Sequence, residues 1–332
     1  MRILVVGPGL IGKKHIQVCE VNENVSEIFV LGTGCLNGKN FCEAKGIPYF
    51  SSIDELLHTE SFFDGVIVAT PNSSHLDIVL KLRRASNNFL VEKPLAEDDQ
   101  DFKDFIKVCR TSDLNILVGH HRLHNTLLAE VKRIIDDGRL GDIVGFSGSA
   151  AFYKPDQYFL EGDWRTKKGG GPIAINMSHE IATIEYLLGE INNVNSFRSS
   201  KSRGYEVEDT VSFIFETKKG VLGSFFLSDC SVSPFSWELT TGENPSYPNY
   251  SESCYTIFGS HGSLSVPEMK IYKQDVNQNW WKELETEVFN VARSLDPFEL
   301  QFEHFLNVIK GAQQPKITVY DSYRYHQTLN KL

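Results

Sequence analysis

The chain has 332 residues, 41% hydrophobic and 23% charged, an ordinary composition for a soluble globular protein and enough length for two domains with separate cores. Its formal charge of -10 argues against general affinity for nucleic acid or an anionic membrane surface. Six scattered cysteines without a Cys-x-x-Cys pair, no apolar run of membrane-spanning length and no leader pattern before the first strand lead to the expectation of a cytoplasmic protein.

Short apolar strands are predicted at 2–6, 26–31, 65–69, 88–91 and 115–118, with a weaker one near 47–50. Helical patterns lie near 12–21, 74–85 and 98–111; in the last, Phe102, Phe105, Ile106 and Cys109 form one buried stripe. Strand alternating with helix implies parallel pairing and right-handed crossovers, hence a doubly wound α/β sheet. The near-continuous apolar strands fit a sheet covered on both faces. After about residue 123 the pattern changes. A helix near 125–137 is closed by Gly138, a long strand spans 143–152, and a helix near 174–188 is closed by Gly189. Val211, Phe213 and Phe215 alternate towards the turn Thr217-Lys218-Lys219-Gly220, from which Val221 to Leu227 returns; a similar return surrounds Gly259-Ser260-His261-Gly262. Residues 229–253 form a long loop rich in Ser, Pro, Gly and Asn, and a late helix starts at Asp296-Pro297 with Phe298, Phe302, Phe305, Leu306 and Ile309 on it. The expected architecture is an N-terminal doubly wound domain, residues 1–123, and a C-terminal α+β domain with a mainly antiparallel sheet, residues 124–332.

Gly7-Pro8-Gly9-Leu10-Ile11-Gly12 follows the first strand and opens a helix, which makes it a Rossmann dinucleotide turn. Gly7 makes the tight turn, Gly9 lets the backbone approach a pyrophosphate, Gly12 lets helix and strand pack, and the helix start at Leu10 and Ile11 faces the anion. The second strand ends Val30-Leu31-Gly32-Thr33-Gly34-Cys35, with no acid to take the ribose 2′-hydroxyl. Thr33 stands where that acid belongs, and Lys39 is near in sequence. The cofactor is therefore NAD or NADP, with a lean to NADP. Thr70, Pro71 and Asn72 end the fourth strand and line the ribose and nicotinamide, while Ser73 or Ser74 caps the next helix. His75 adjoins that loop, either as a cofactor contact or as an ordinary helix residue. Glu92-Lys93-Pro94 ends the strand Phe89-Leu90-Val91. Lys93 there can polarise a carbonyl or hydrogen-bond a substrate hydroxyl, Glu92 tunes it, and a cis bond to Pro94 is a natural expectation.

These motifs, with Ala69-Thr70-Pro71, Trp164-Arg165, Gly169-Gly170-Gly171-Pro172, His179 and Glu208-Asp209-Thr210, resemble the glucose–fructose oxidoreductase / inositol dehydrogenase / rhizopine-catabolism (Gfo/Idh/MocA) family along essentially the whole chain. The resemblance implies an NAD(P)-dependent reaction on a sugar, cyclitol or related alcohol, and a homodimer or homotetramer formed through the outer face of the C-terminal sheet. It implies Lys93 and His179 as the catalytic pair: His179 takes the hydroxyl proton, hydride passes to the nicotinamide, and Lys93 stabilises the alkoxide. The family's aspartate four residues before the histidine is Ile175 here, and the frequent acid three residues after it is Ala182; Asn176 stands next to the first and offers an amide to substrate. Glu180 points elsewhere on the helix.

Substrate contacts are expected from His121 and Arg122 in the run Gly119-His120-His121-Arg122-Leu123-His124, unless that run is only a polar hinge. Its histidine spacing matches no compact zinc motif, so no metal is expected. Tyr153, Lys154, Trp164 and Arg165 suggest a polar-aromatic wall of the type that binds sugars. Trp237 reaches the site or a neighbouring subunit, or belongs to the core of a strand. The leading reading is an NAD(P)-dependent dehydrogenase or reductase of a sugar, cyclitol or sugar acid. A non-catalytic dinucleotide-binding sensor, or a redox-neutral glycosidase or epimerase that retains its NAD, are the alternatives.

Overall fold

A computed structural model describes residues 1–32, 36–274, 279–291 and 296–332. The first strand, β1 (Arg2–Val6), is followed by α1 (Leu10–Val21), β2 (Glu27–Leu31), α2 (Leu36–Ala44), β3 (Tyr49–Phe50), α3 (Ile53–Thr59), β4 (Gly65–Val68), α4 (His75–Leu82), β5 (Asn88–Glu92), α5 (Asp99–Thr111) and β6 (Asn115–Gly119). Among the described residues these six strands lie in the order β3-β2-β1-β4-β5-β6, all parallel. The order reverses between β1 and β4, so the C-terminal ends of those two strands open the crevice in which a doubly wound sheet takes its ligand. Helix starts follow local chemistry: Asp98 accepts the N–H groups of Gln100 and Asp101, each at 2.9 Å, at the head of α5, and Ser52 accepts that of Glu55 at 3.1 Å at the head of α3.

The second unit begins with Asn125, whose side chain accepts the Leu127 N–H at 2.8 Å and caps α6 (Thr126–Asp136). Then come β7 (Ile143–Ala151), α7 (Asp156–Leu160), a π-helical turn (Ile173–Met177) running into α8 (Ser178–Leu188), β8 (Ile191–Ser199), β9 (Thr210–Thr217), β10 (Leu222–Ser228), α9 (Trp237–Thr240), β11 (Tyr255–Gly259), β12 (Gly262–Val266), β13 (Lys270–Lys273) and β14 (Glu285–Val288). The sheet order is β14-β13-β12-β11-β7-β10-β9-β8, antiparallel throughout except for β7 beside β10. Its inner face is a cluster of rings, Phe146, Phe213, Phe215, Phe225 and Tyr255. Gly223 makes room for it, since a Cβ there would stand 2.1 Å from the Phe215 ring. The outer face bares Ile214, Leu222, Phe226 and Phe258.

The chain then returns to the first unit. Asp296 accepts the Phe298 N–H at 2.9 Å and caps α10 (Pro297–Ile309), whose Phe302, Phe305 and Leu306 join Ile3, Val5, Ile67, Leu90 and Leu117 in one core. A Cβ on Gly65 would lie 2.7 Å from Ile309 and 2.8 Å from the Phe305 ring, so this glycine admits the helix. The final helix is α11 (Val319–Leu329). The first unit comprises Met1–His124 with Asp296–Arg324, the second Asn125–Leu295 with Tyr325–Leu332. The sequence reading carried everything after residue 123 into one domain; a hydrophobic stripe shows that α10 is buried, not which core receives it. No helix among the described residues is long and apolar enough to cross a membrane.

Candidate active site

In the first unit the turn after β1 is built for close approach. Gly7 has φ +91, and a Cβ there would meet Ala69 O and Thr70 Cγ2 at 2.7 Å. A Cβ on Gly12 would lie 2.0 Å from Gly7 O, while one on Gly9 would meet nothing within 4 Å. Leu10 and Ile11 are exposed, and no side chain caps α1. The first amides of this helix thus face open space beside a glycine backbone, a cradle that fits a dinucleotide pyrophosphate. Thr33 lies outside the described residues.

The loop after β4 is held from within. Ser74 Oγ donates to Pro71 O at 2.7 Å and to Thr70 Oγ1 at 2.8 Å, so it ties the loop together rather than capping α4 forward. Pro71 is exposed and Asn72 half-buried. His75 is fully buried, with Nδ1 on Leu95 O at 3.1 Å and Nε2 on Thr70 O at 3.0 Å, and burial pushes its pKa down. Both nitrogens serve the backbone, so His75 pins the loop, and its place among the cofactor contacts is withdrawn.

Glu92 is buried at the end of β5. Its Oε1 meets His15 Nε2 at 2.8 Å and its Oε2 accepts the Lys93 N–H at 3.2 Å. Gly119 stands opposite Glu92 in register, and a Cβ there would touch the carboxylate at 3.0 Å. A fully buried histidine on α1, a glycine on β6 and this glutamate thus pack together directly before Lys93, whose peptide bond to Pro94 is cis. Burial, and next the positive Lys93, hold His120 at about 3 and His121 well below its ordinary range. The His121 ring stacks on Phe298 at 4.3 Å, and Arg122 is buried. Both belong to the packing around α10, and Arg122 has almost no surface to offer a substrate. Among the described residues no group of three or more His, Cys, Asp and Glu is placed to hold a metal.

In the second unit, a short turn (Asp163–Thr166) carries Trp164 and Arg165. Gly170 packs beneath it, since a Cβ would lie 2.5 Å from Trp164 O. Glu208 Oε1 accepts the Ile173 N–H at 2.9 Å and so heads the π turn that delivers Asn176 and, just after it, His179. Asn176 Oδ1 accepts from Lys154 Nζ at 2.7 Å. Lys154 is buried, 3.8 Å from Asp229, which Arg203 Nε engages at 2.9 Å. Burial lowers Lys154 to about 8, opposed by Asp229. The Arg165 guanidinium lies 3.9 Å from the Tyr158 ring centroid with the exposed Trp164 at 5.7 Å, and the exposed Tyr153 ring lies 5.2 Å from the Arg203 guanidinium. Glu180 is buried and accepts the Tyr255 hydroxyl, as expected of a residue pointing away from His179. Trp237 is core: it is 1% exposed, stacks on Tyr255 and donates to Glu243 at 3.0 Å.

Residues 1–120 match the family model described as "Oxidoreductase family, NAD-binding Rossmann fold", and residues 128–265 match the "GFO/IDH/MocA C-terminal domain". The chain belongs to the Gfo/Idh/MocA family. It is 27% identical over 266 residues to a 2,7-anhydro-N-acetylneuraminate hydratase of Escherichia coli, covering 79% of this chain and 66% of the relative. It is 22% identical over 331 residues to scyllo-inositol 2-dehydrogenase (NAD(+)) of Bacillus subtilis, covering 97% and 90%. The first curated relatives are matched over only about half to two thirds of their length, 49% and 66%. The WlbA dehydrogenase of Bordetella pertussis, crystallised with NADH and UDP-GlcNAcA, shares the fold at a TM-score of 0.77 and 22% identity, covering 100% and 94%.

Against the Gfo/Idh/MocA pattern, the position four before His179 is Ile175 and the one three after is the buried Ala182. The π turn alters how such spacings translate into faces, because it adds a residue to the helical turn. Counting back from His179 at 3.6 residues per turn therefore does not identify the upstream side chain that shares its face, whereas Ala182 lies with it in regular α8. Sequence reasoning missed His15, Arg203 and Asp229. Its place three residues after Gly12, at helical spacing from Ile11, Val18 and Cys19, is the one signal His15 gave. Arg203 and Asp229 meet across 26 residues and gave none.

Proposed function

We propose that this protein is an NAD(P)-dependent oxidoreductase that moves hydride between the nicotinamide and a secondary alcohol of a sugar, cyclitol or sugar acid. The observation that carries the reading is the buried His15–Glu92 contact at the strand end that presents Lys93, next to the glycine turn of the dinucleotide helix. Gly7, Gly9, Leu10, Ile11 and Gly12 hold the pyrophosphate, and Thr70, Pro71 and Asn72 border the ribose and nicotinamide. The bound coenzyme supplies a hydride acceptor or donor. Lys93 donates a hydrogen bond to the reacting oxygen and stabilises its negative charge. His179 takes the hydroxyl proton on oxidation and returns it on reduction. The substrate class is supported by the inositol dehydrogenase relative, and the lean to NADP by the absence of an acid from 30–35. The test is a screen of sugars, cyclitols and sugar acids with NAD and NADP, read by absorbance of the reduced nicotinamide. No turnover with any of them, despite coenzyme binding, would count against hydride transfer to solution.

The similarity to a hydratase favours one second reading, redox-neutral chemistry with retained NAD. Purification with bound dinucleotide and substrate conversion without net absorbance change would select it. The bare apolar outer face of the sheet supports self-association into a dimer or tetramer, to be measured by light scattering. The free thiols of Cys19, Cys42, Cys109, Cys230 and Cys254 support a reducing, cytoplasmic setting.

A further inference from the structure

We propose that Arg165, Lys154 and Asn176 form a carboxylate subsite, so that the alcohol this protein acts on is carried by an acid: a uronic acid or another carboxylated cyclic polyol. The proposal rests on the hydride-transfer reading and narrows its substrate class. It draws on the second unit alone.

Three observations converge. The first is charge. Arg203 is committed to Asp229 at 2.9 Å, with the exposed Asp156 at 3.6 Å, and Lys154 stands 3.8 Å from the same Asp229, with Glu238 also acting on it. Arg165 makes no ion pair among the described residues. Its Nη1 donates to Tyr158 O, its plane is held against the Tyr158 and Trp164 rings at 3.9 and 5.7 Å, and its buried Nε has no hydrogen-bond partner. A half-buried guanidinium stacked between rings has lost its rotamer freedom and much of its water without gaining an anion.

The second is hydrogen-bond polarity. An ammonium only donates, so the oxygen of the Asn176 amide faces Lys154 at 2.7 Å and its NH2 faces away. Lys154 Nζ lies 5.2 Å from the Tyr158 centroid, so Asn176, Lys154, Tyr158 and Arg165 form one contiguous run. That run offers amide and guanidinium donors at its surface, with the buried Lys154 ammonium behind them fixing the direction of the amide. A sugar hydroxyl both donates and accepts and wastes such a lining; a carboxylate only accepts and matches it.

The third is shape. Trp164 and Tyr153 are 55% and 49% exposed beside this run, and their rings suit the apolar face of a cyclic substrate. One uncompensated cation, presenting a planar fork, suits a monoanionic carboxylate better than a dianionic phosphate.

The test is calorimetric titration of the NADH-loaded protein with matched pairs: D-glucuronate and D-glucose, D-galacturonate and D-galactose, quinate and myo-inositol. D-Glucose 6-phosphate is the phosphate control. At least one acid is expected to bind about tenfold or more tightly than its neutral partner, as a charge-assisted hydrogen bond provides. Arg165→Gln is expected to erase that gap, and Arg165→Lys to restore part of it. Asn176→Asp, which adds a negative charge without removing bulk, is expected to weaken the acid and spare the neutral partner. Thermal melts establish that each variant is folded. Equal binding of acid and neutral partner in every pair, a gap that survives Arg165→Gln in folded protein, or phosphate ester binding as tight as the best acid overturns the proposal. Arg165-dependent acid binding without hydride transfer leaves the subsite standing and removes the dehydrogenase reading. Oxidation of neutral polyols without preferential acid binding does the reverse.

Discussion

Lowering the pH from 7 to 5 should destabilise the first unit by about 4 kcal/mol through two histidines. His120 and His124 are 3% and 9% exposed, and burial, followed by the positive charges of Lys93 and Lys316 respectively, holds each at about 3. An unfolded histidine titrates near 6.5. Between those values the unfolded chain binds more protons than the folded one, so stability is fully present above 6.5 and is lost as pH falls towards 3. For one such group the linkage integral from pH 7 to pH 5 is about 2 kcal/mol, and for two about 4 kcal/mol. His121, pushed down for the same reason, adds to the loss. For a domain of this size the fall in Tm is on the order of 10 °C. Differential scanning calorimetry at pH 7, 6 and 5 should be run on wild type and on the double variant His120→Gln/His124→Gln, in which neutral amides replace neutral imidazoles. The wild type should lose Tm more steeply than the variant. Parallel curves would refute the assignment of the acid sensitivity to these imidazoles.

Gly12→Ala places a methyl 2.0 Å from Gly7 O and should weaken NADH binding at least about tenfold, read by nicotinamide fluorescence; unchanged affinity would show that the turn does not hold the pyrophosphate. Lys93→Ala should lower turnover by about two orders of magnitude or more with coenzyme affinity nearly intact, and near-normal turnover would remove the lysine from the mechanism. His15→Ala leaves the buried Glu92 carboxylate without its imidazole and should cost about 1–3 kcal/mol in urea denaturation, with His15→Gln recovering part of it; a cost below about 0.5 kcal/mol would show the contact to be incidental.

The doubly wound half was legible because its strands are apolar runs between amphipathic helices, and because Gly7 and Gly12 are demanded by close backbone contacts, to Ala69 O and to Gly7 O respectively. The less patterned elements were not: α2 and α3 carry weak stripes, β14 is mostly exposed, and β8 alternates only loosely. Lys93 could be named from its position after a strand, but what steadies it could not. The Glu92–His15 contact joins residues 77 apart and depends on Gly119 being empty. His75 misled because a histidine beside a ligand loop and a histidine stapling that loop occupy the same position. Only the two carbonyls on its ring nitrogens tell them apart. Asn176 was chosen for its nearness to Ile175, while its orientation comes from Lys154, 22 residues earlier.

The homecoming of residues 296–324 bears on how this polypeptide can be cut and made. A gene truncated after codon 124 would encode every strand of the dinucleotide sheet and still lack the wedge formed by Phe302, Phe305 and Leu306. In the intact chain the same residues emerge from the ribosome with a slot beside Gly65, which stays open until the 171 intervening residues and the closing helix have been made. Completion of the nucleotide-binding half therefore waits for residues made long after its glycine turn.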